Sequence, residues 1–475
     1  MISPEGIRRT KIVCTIGPAT DSADKVLELI EAGMDVARLN FSHGDRESHR
    51  QTIRLIRKVS QEAGKEVGIL QDLGGPKIRL GILKEDEVQL KTGAEVNLLA
   101  DESGDSGTLP VMYAGLLDEV KPGDHILLSD GRVELLVLEK KRDLLVCKVV
   151  VGGSIQSRKG VNLPSSKLSI PALTDKDRLD LQVGLEEHVD FVALSFIRHE
   201  SDLDPVLQIL DRLKRKPMLV AKIEKPQALD RLEKIIAEAD AIMVARGDLG
   251  VEMPLEQVPL IQKRIIRSAR LAAKPVITAT QMLTSMMTNP RPTRAEATDV
   301  ANAILDGTDA LMLSDETAVG DYPVQAVSVL NRIARTVEGE IDETAMMQED
   351  SSDSLPATAA GISRAACLLA RDLRAAAIVA STSSGSTARL VSRFRPHRPI
   401  LGLTESLQTL RQLTLSWGVI PDWAMSVPHT DQIFETAKAL VMERKLAQRG
   451  DRLVITAGVP VGVTGTTNLI KVMEL

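Results

Sequence analysis

Lys222 and Glu224 stand two residues apart in the run MLVAKIE (218–224), and the next such run, AIMVARG (241–247), leads straight into Asp248. Residues two apart in a strand point to the same side, so the lysine and the glutamate share a face at the strand's end. Two carboxylates beside a lysine suit phosphoryl transfer. They can hold a magnesium ion that keeps several waters, while fixed cations neutralise charge on the transferring group. Taken singly, each of these residues is better read as part of an ion-pair cluster at a strand end. Arg38, Asn40 and Ser42 alternate in DVARLNFS (35–42). They put one phosphate-binding guanidinium beside two neutral oxygen donors, a set that suits a phosphate and a monovalent cation. Asp72, Ser195 and Thr280 fall in further runs of the same kind.

The elements that must position these groups are short, apolar and rich in β-branched residues. They are IVCTIG (12–17), DVARLNFS (35–42), VGILQDL (67–73), FVALSFI (191–197), MLVAKIE, AIMVARG, PVITATQ (275–281) and ALMLSDE (310–316), each followed by a stretch of helical length. Near-continuous apolar strands alternating with helices predict a parallel sheet buried on both faces. Eight such units are the number that closes a (β/α)8 TIM barrel, although equal spacing also suits a large doubly wound sheet. Polar groups gathered at the C-terminal ends of many strands are the active-site signature of a barrel. A polar rim without chemistry would not explain so many ligand-like strand ends.

The regularity breaks after the third run. Residues 74–170 carry alternating patterns such as VELLVLEK and LLVCKVVV with turn signals between them, which predicts a small β-barrel inserted in a loop of the large barrel and able to act as a lid. The expected catalytic barrel therefore spans 1–73 and 171–343. The acidic, Ser-rich stretch IDETAMMQEDSSDSLP marks a second boundary. Beyond it AAAIVAST (375–382), PILGLTE (399–405), GVIPDWA (418–424) and DRLVITAG (451–458) predict a separate α/β domain over 344–475 with a mainly parallel sheet.

Composition narrows the function classes. A net charge of −6 and 2% aromatic residues give no platform for nucleic acid. No stretch approaches a bilayer span, and MISPEGIRRTKIVC lacks the apolar run of a secretory signal. Cys14, Cys147 and Cys367 lie far apart, without metal or redox spacing; Cys14 and Cys367, in apolar runs, are expected to be buried thiols, and a reduced cytoplasm is expected.

KIVCTIGPAT, MDVARLNFSHG, QDLGGPKIR, RKGVNLP, VAKIEK, IMVARGDLGVE, TATQML and PTRAEATDVANAILDGTDALMLS follow one another in this order. Together they resemble the motifs of the pyruvate kinase family, covering the barrel and both edges of the insertion; the C-terminal region is similar in layout but weaker in motif. The resemblance implies transfer of the phosphoryl group of phosphoenolpyruvate to ADP, giving pyruvate and ATP, with Mg2+ or Mn2+ held by Glu224 and Asp248. It implies that Lys222 stabilises the transferring phosphoryl group and the enolate charge. Arg38 would hold phosphate, Gly247 and Asp248 would offer backbone amides to the substrate carboxylate, and Thr280 would lie where the enolate is protonated, with Ser195 also in the substrate site. Pro18, Asn40, His43, Arg79 and Lys159 match positions around the nucleotide, and Asp130 matches a residue of the swinging lid. The resemblance further implies a homotetramer.

Two departures stand out. Many relatives bind potassium through residues matching Asn40, Ser42, Asp72 and Leu73, and carry Glu where this chain has Lys77. An ammonium there can replace the bound ion's charge, so activity is not expected to require potassium. Asp315 stands where the family commonly has Gly, and little consequence is expected. In the C-terminal domain, Ser381, Thr382, Ser383, Ser384, Gly385, Ser386 and Thr387 form a hydroxyl-rich turn before a helical stretch. Such a turn can cradle phosphate, or can simply cap the helix. The resemblance favours an allosteric sugar phosphate or nucleotide; AMP, ribose 5-phosphate, glucose 6-phosphate and fructose 1,6-bisphosphate all remain open. The stretch GVPVGVTGTTN (458–468) resembles a second loop of that pocket.

Two other functions compete. A metal-dependent lyase or aldolase acting on an enolate could use the same carboxylate pair, but would not need Arg79, Lys159 or a lid. A non-catalytic metabolite sensor would not need Lys222, Glu224, Asp248, Arg38 and Thr280 together.

Overall fold

Eight short strands whose alternate residues face one axis set the positions of the groups described above. In the computed structural model, residues 7–85, 87–104, 107–166, 168–349, 355–425, 430–460 and 465–475 are described. The first three strands are β1 (Lys11–Thr15), β2 (Val36–Asn40) and β3 (Gly68–Asp72). Then come β4 (Glu87–Leu90), β5 (Glu95–Leu99), β6 (Thr108–Pro110), β7 (His125–Leu128), β8 (Val133–Lys140), β9 (Leu145–Val151), β10 (Gly153–Gln156) and β11 (Val161–Asn162). The chain returns through β12 (Phe191–Leu194), β13 (Met218–Ile223), β14 (Ala241–Ala245), β15 (Val276–Ala279) and β16 (Ala310–Leu313).

Strands β1–β3 and β12–β16 form a closed barrel, all neighbours parallel, with Lys11 opposite Ala310 at the closing seam. Helices separate them; Thr174 and Thr293 each begin one with a reciprocal capping box. One face of every strand packs on these helices through residues such as Ile12, Leu39, Ile69, Leu219 and Val244. The opposite residues, among them Val13, Val36, Leu70, Met218, Val220, Met243 and Met312, fill the barrel axis.

Between β3 and β12, strands β11-β7-β8-β9-β5-β6 make a six-stranded mixed sheet around its own apolar core, and β10 pairs with β4. The C-terminal sheet contains β17 (Ala377–Ser381), β18 (Ile400–Thr404), β19 (Val419–Trp423), β20 (Arg452–Gly458) and β21 (Thr467–Glu474) in the order β19-β18-β17-β20-β21. All its pairs are parallel except β20 with β21, which is antiparallel. Sequence reading gave no strand for β21. Part of the loop expected at 458–468 is therefore strand, and its residues 461–464 lie outside those described, as do 350–354 of the acidic boundary stretch.

The barrel floor is plugged from the C-terminal region. Leu415 joins the cluster on the barrel axis. Trp417, fully buried, packs with the outer core, and its backbone N–H donates to Asp309 Oδ1 at 3.0 Å. Arg395 lies 5.3 Å over the Trp417 ring and donates to Asp309 Oδ2 at 2.8 Å. Removing so large a side chain leaves a cavity the rigid strand ends cannot fill. Trp417→Ala is expected to cost about 3–5 kcal/mol, read as a lowered midpoint in denaturant unfolding.

Candidate active site

The parity that fills the barrel axis with Val13, Val36, Leu70 and Val220 also places the next inward residues: Thr15, Arg38, Asp72 and Lys222. These charged groups therefore form the top layer of the barrel interior. Lys222 Nζ lies 2.9 Å from Glu224 Oε1 and 3.2 Å from Asp72 Oδ1, and donates to Ser195 Oγ at 2.7 Å. Arg38 Nε donates to Asp72 Oδ2 at 2.8 Å and its NH1 to Thr15 Oγ1 at 2.9 Å. Ser195 Oγ–H in turn donates to the Leu73 carbonyl at 2.8 Å. Asp72, Glu224 and Ser195 are almost completely buried.

Electrostatics follow from this burial. Burial alone would depress the Lys222 ammonium, but Asp72 and Glu224 outweigh it and push its pKa well above the usual lysine range. Burial pulls the Asp72 carboxyl up, and Lys222 and Arg38 override it to hold the group ionised. Glu224 goes the other way: burial and the nearby Asp248 charge raise its pKa against the pull of Lys222. A buried carboxylate raised by a second carboxylate is where a divalent cation would gain most.

Several expected strand residues lie just beyond the regular strands. Glu224, Ser195, Thr280 and Ser42 each follow the end of β13, β12, β15 and β2, and Arg246 begins a short helix, Arg246–Glu252, where strand was expected. Left-handed backbone at Phe196 (φ 59°) turns its N–H onto Glu224 Oε2 at 2.7 Å. Thr280 is also left-handed, at φ 68°. Its hydroxyl accepts from the Gly247 N–H at 2.7 Å, so these two polar groups face one spot. Arg246 fixes that spot by donating to the Thr280 carbonyl at 2.8 Å and to both oxygens of Asp299.

The remaining expected residues spread around this centre. Asn40 Oδ1 accepts from the Ser42 N–H at 3.2 Å, and His43 and Pro18 are exposed on the loops after β2 and β1. Asp248 lines a cleft between barrel and insertion with Lys77, Asp130, Lys225 and Phe196. Lys77 and Asp130 approach each other's side of that cleft across Gly160, where a Cβ would meet Lys77 Nζ at 3.8 Å and Asp130 Oδ1 at 3.7 Å. Arg79 and Lys159 sit on the paired edges leading into the insertion, with Arg79 NH1 donating to the Arg158 carbonyl at 3.1 Å. The hydroxyl loop is set apart, in the C-terminal domain; there Gly385 (φ 83°) donates its N–H to Thr382 Oγ1 at 2.9 Å.

Sequence reading missed Thr15, the Phe196 amide and the Lys225–Glu252 pair, which lies at 2.5 Å and receives Asn162 of the insertion at 2.7 Å. Only Thr15 had a legible signal: it continues the inward alternation of Val13.

Family profiles described as "Pyruvate kinase, barrel domain" and "Pyruvate kinase, alpha/beta domain" match residues 7–327 and 360–473. Pyruvate kinase 2 of Synechocystis sp. is 49% identical over 471 residues, 98% of this chain and 79% of that protein. The pyruvate kinase of Corynebacterium efficiens is 46% identical over 98% of this chain and 97% of its own length. Among solved structures, a pyruvate kinase from Cryptosporidium parvum superposes with a TM-score of 0.93 at 37% identity, covering 99% of this chain and 97% of that one. The strand order, the charged layer at the barrel mouth and these likenesses agree, and the chain belongs to the pyruvate kinase family.

Proposed function

We propose that this pyruvate kinase transfers the phosphoryl group of phosphoenolpyruvate to ADP at the mouth of the barrel, with Lys222 as its central cation. The observation that carries this reading is one ammonium held by Glu224, Asp72 and Ser195 at once, with Arg38 braced on Asp72 beside it. Lys222 and Arg38 place fixed positive charge where a phosphoryl group would shed negative charge, in a layer closed to water from below. Thr280 and the Gly247 amide can orient the substrate carboxylate and the enolate face. Arg79, Lys159, His43, Asn40 and Pro18 bound the side on which the nucleotide enters, and Asp130 lies across the cleft as part of the lid.

The donor set fits a hard divalent cation. Burial and the Asp248 charge raise the cost of ionising Glu224, and magnesium is commonly held by one or two carboxylates with waters and substrate phosphates completing its shell. Among the described residues no cluster of three or more acidic, His or Cys ligands competes for it. When bound, the ion would neutralise phosphate charge and polarise the enol oxygen. A coupled assay of pyruvate formation from phosphoenolpyruvate and ADP tests the reading. Turnover should vanish on chelation and return with Mg2+, and Glu224→Gln should lower it by roughly 10²-fold or more. Turnover that persists without a divalent ion would contradict it.

Lys77 supports activity without potassium: its ammonium faces the cleft that Asp248 lines. In tetramethylammonium buffer, added potassium should change wild-type turnover less than about twofold, while Lys77→Glu should become potassium-dependent. A large activation of the wild type by potassium would overturn this.

The loop Ser381–Thr387 borders a crevice lined by Ser383, Thr404, Glu405 and Thr436, which supports a phosphorylated allosteric effector. Leu255 and Leu260, 72% and 69% exposed, support an association surface of the kind a homotetramer needs. No described helix is long and apolar enough to cross a membrane, in keeping with a cytoplasmic enzyme.

A further inference from the structure

Glu224 and Asp248 come from different strands and repel each other. Glu224 follows β13, and Asp248 lies in the first turn of the helix Arg246–Glu252 after β14. The Asp248 charge disfavours ionised Glu224. Like charges so placed move apart unless the backbones that carry them are held. Asp299 and the Thr280 carbonyl pin the Arg246 end of the helix. Glu252 pins the other end.

Glu252 stands four residues after Asp248, so both side chains lie on one side of the helix. Its Oε1 pairs with Lys225 Nζ at 2.5 Å and accepts from Asn162 Nδ2 of the insertion at 2.7 Å. Lys225 is the residue after Glu224. Its ammonium also lies 5.7 Å over the Phe196 ring, and the Phe196 backbone N–H holds Glu224 Oε2 at 2.7 Å. The pair therefore joins the segment bearing one carboxylate to the helix bearing the other. The Lys225 and Glu252 side chains are only 9% and 1% exposed. A buried ion pair adds little net stability over apolar side chains of the same volume, so its value here lies in what it holds in place.

We propose that Lys225 and Glu252, steadied by Asn162, are positioning residues that brace Glu224 against Asp248 at the separation a divalent ion needs. The proposal rests on Glu224 and Asp248 being the ligands of that ion, and the brace acts on the ion only through them. Asn162 makes the affinity for the ion depend on how the insertion is seated.

Charge alone predicts the opposite sign. An ammonium beside a divalent site repels the ion, so deleting it would tighten binding. Deleting a brace loosens binding, by about 10- to 100-fold where groups that orient metal ligands are lost. Titration of the full chain with Mn2+, followed by electron paramagnetic resonance without substrates, separates the two. Lys225→Met should bind Mn2+ about tenfold more weakly than wild type, and Asn162→Ala, which changes no charge, several-fold more weakly. Unchanged or tighter binding in Lys225→Met overturns the proposal. Should that variant fail to fold, Asn162→Ala decides alone, and wild-type affinity there is the refuting result. Glu224→Gln tests the ligand assignment separately. Wild-type Mn2+ binding in Glu224→Gln overturns that assignment and the brace with it, whereas loss there beside normal binding in Lys225→Met overturns the brace alone.

Discussion

Inside a closed barrel every second side chain of every strand must point at the axis, and the axis holds only a few layers. The lower layers here are apolar, built from Val13, Val36, Leu70, Val220 and Met243, and sealed below by Leu415. The next positions on the same strands are Thr15, Arg38, Asp72 and Lys222, so charged groups rest on a floor that excludes water. Low polarisability from below strengthens every interaction among them. The price of that strength is desolvation, and mutual pairing offsets it.

The pairing is incomplete in an informative way. Arg38 and Lys222 supply two positive charges, against three carboxylates, Asp72, Glu224 and Asp248. Asp72 is held by both cations, whereas Glu224 is the carboxylate whose pKa rises. One negative charge is left over at the edge of the cluster, facing the cleft that Lys77 and Asp130 also line. A divalent ion arriving with phosphate would complete the balance. Thus the site is preorganised for a charged ligand, and the insertion is tied to the barrel beside it through Asn162 and Glu252.

Much of this was legible in the sequence because it follows from period two. Once the runs around Arg38, Asp72 and Lys222 are read as strands, inward parity assigns the polar layer. What parity could not show lies at strand ends and between distant segments. Regular strand stops at Ala245 and Ala279, so Arg246 starts a helix and Thr280 turns left-handed; both depend on the Arg246 contacts with Asp299 and the Thr280 carbonyl. Strand β21 went unread because TNLIKVME carries its polar residues on an irregular rhythm and pairs antiparallel across a bulge.

The proposed chemistry turns on the ammonium at position 222. Steady-state kinetics of Lys222→Met, with circular dichroism to establish the fold, test it most directly. Turnover should fall on the order of 10³-fold or more with native secondary structure retained. Near-wild-type turnover in a folded Lys222→Met protein would contradict it.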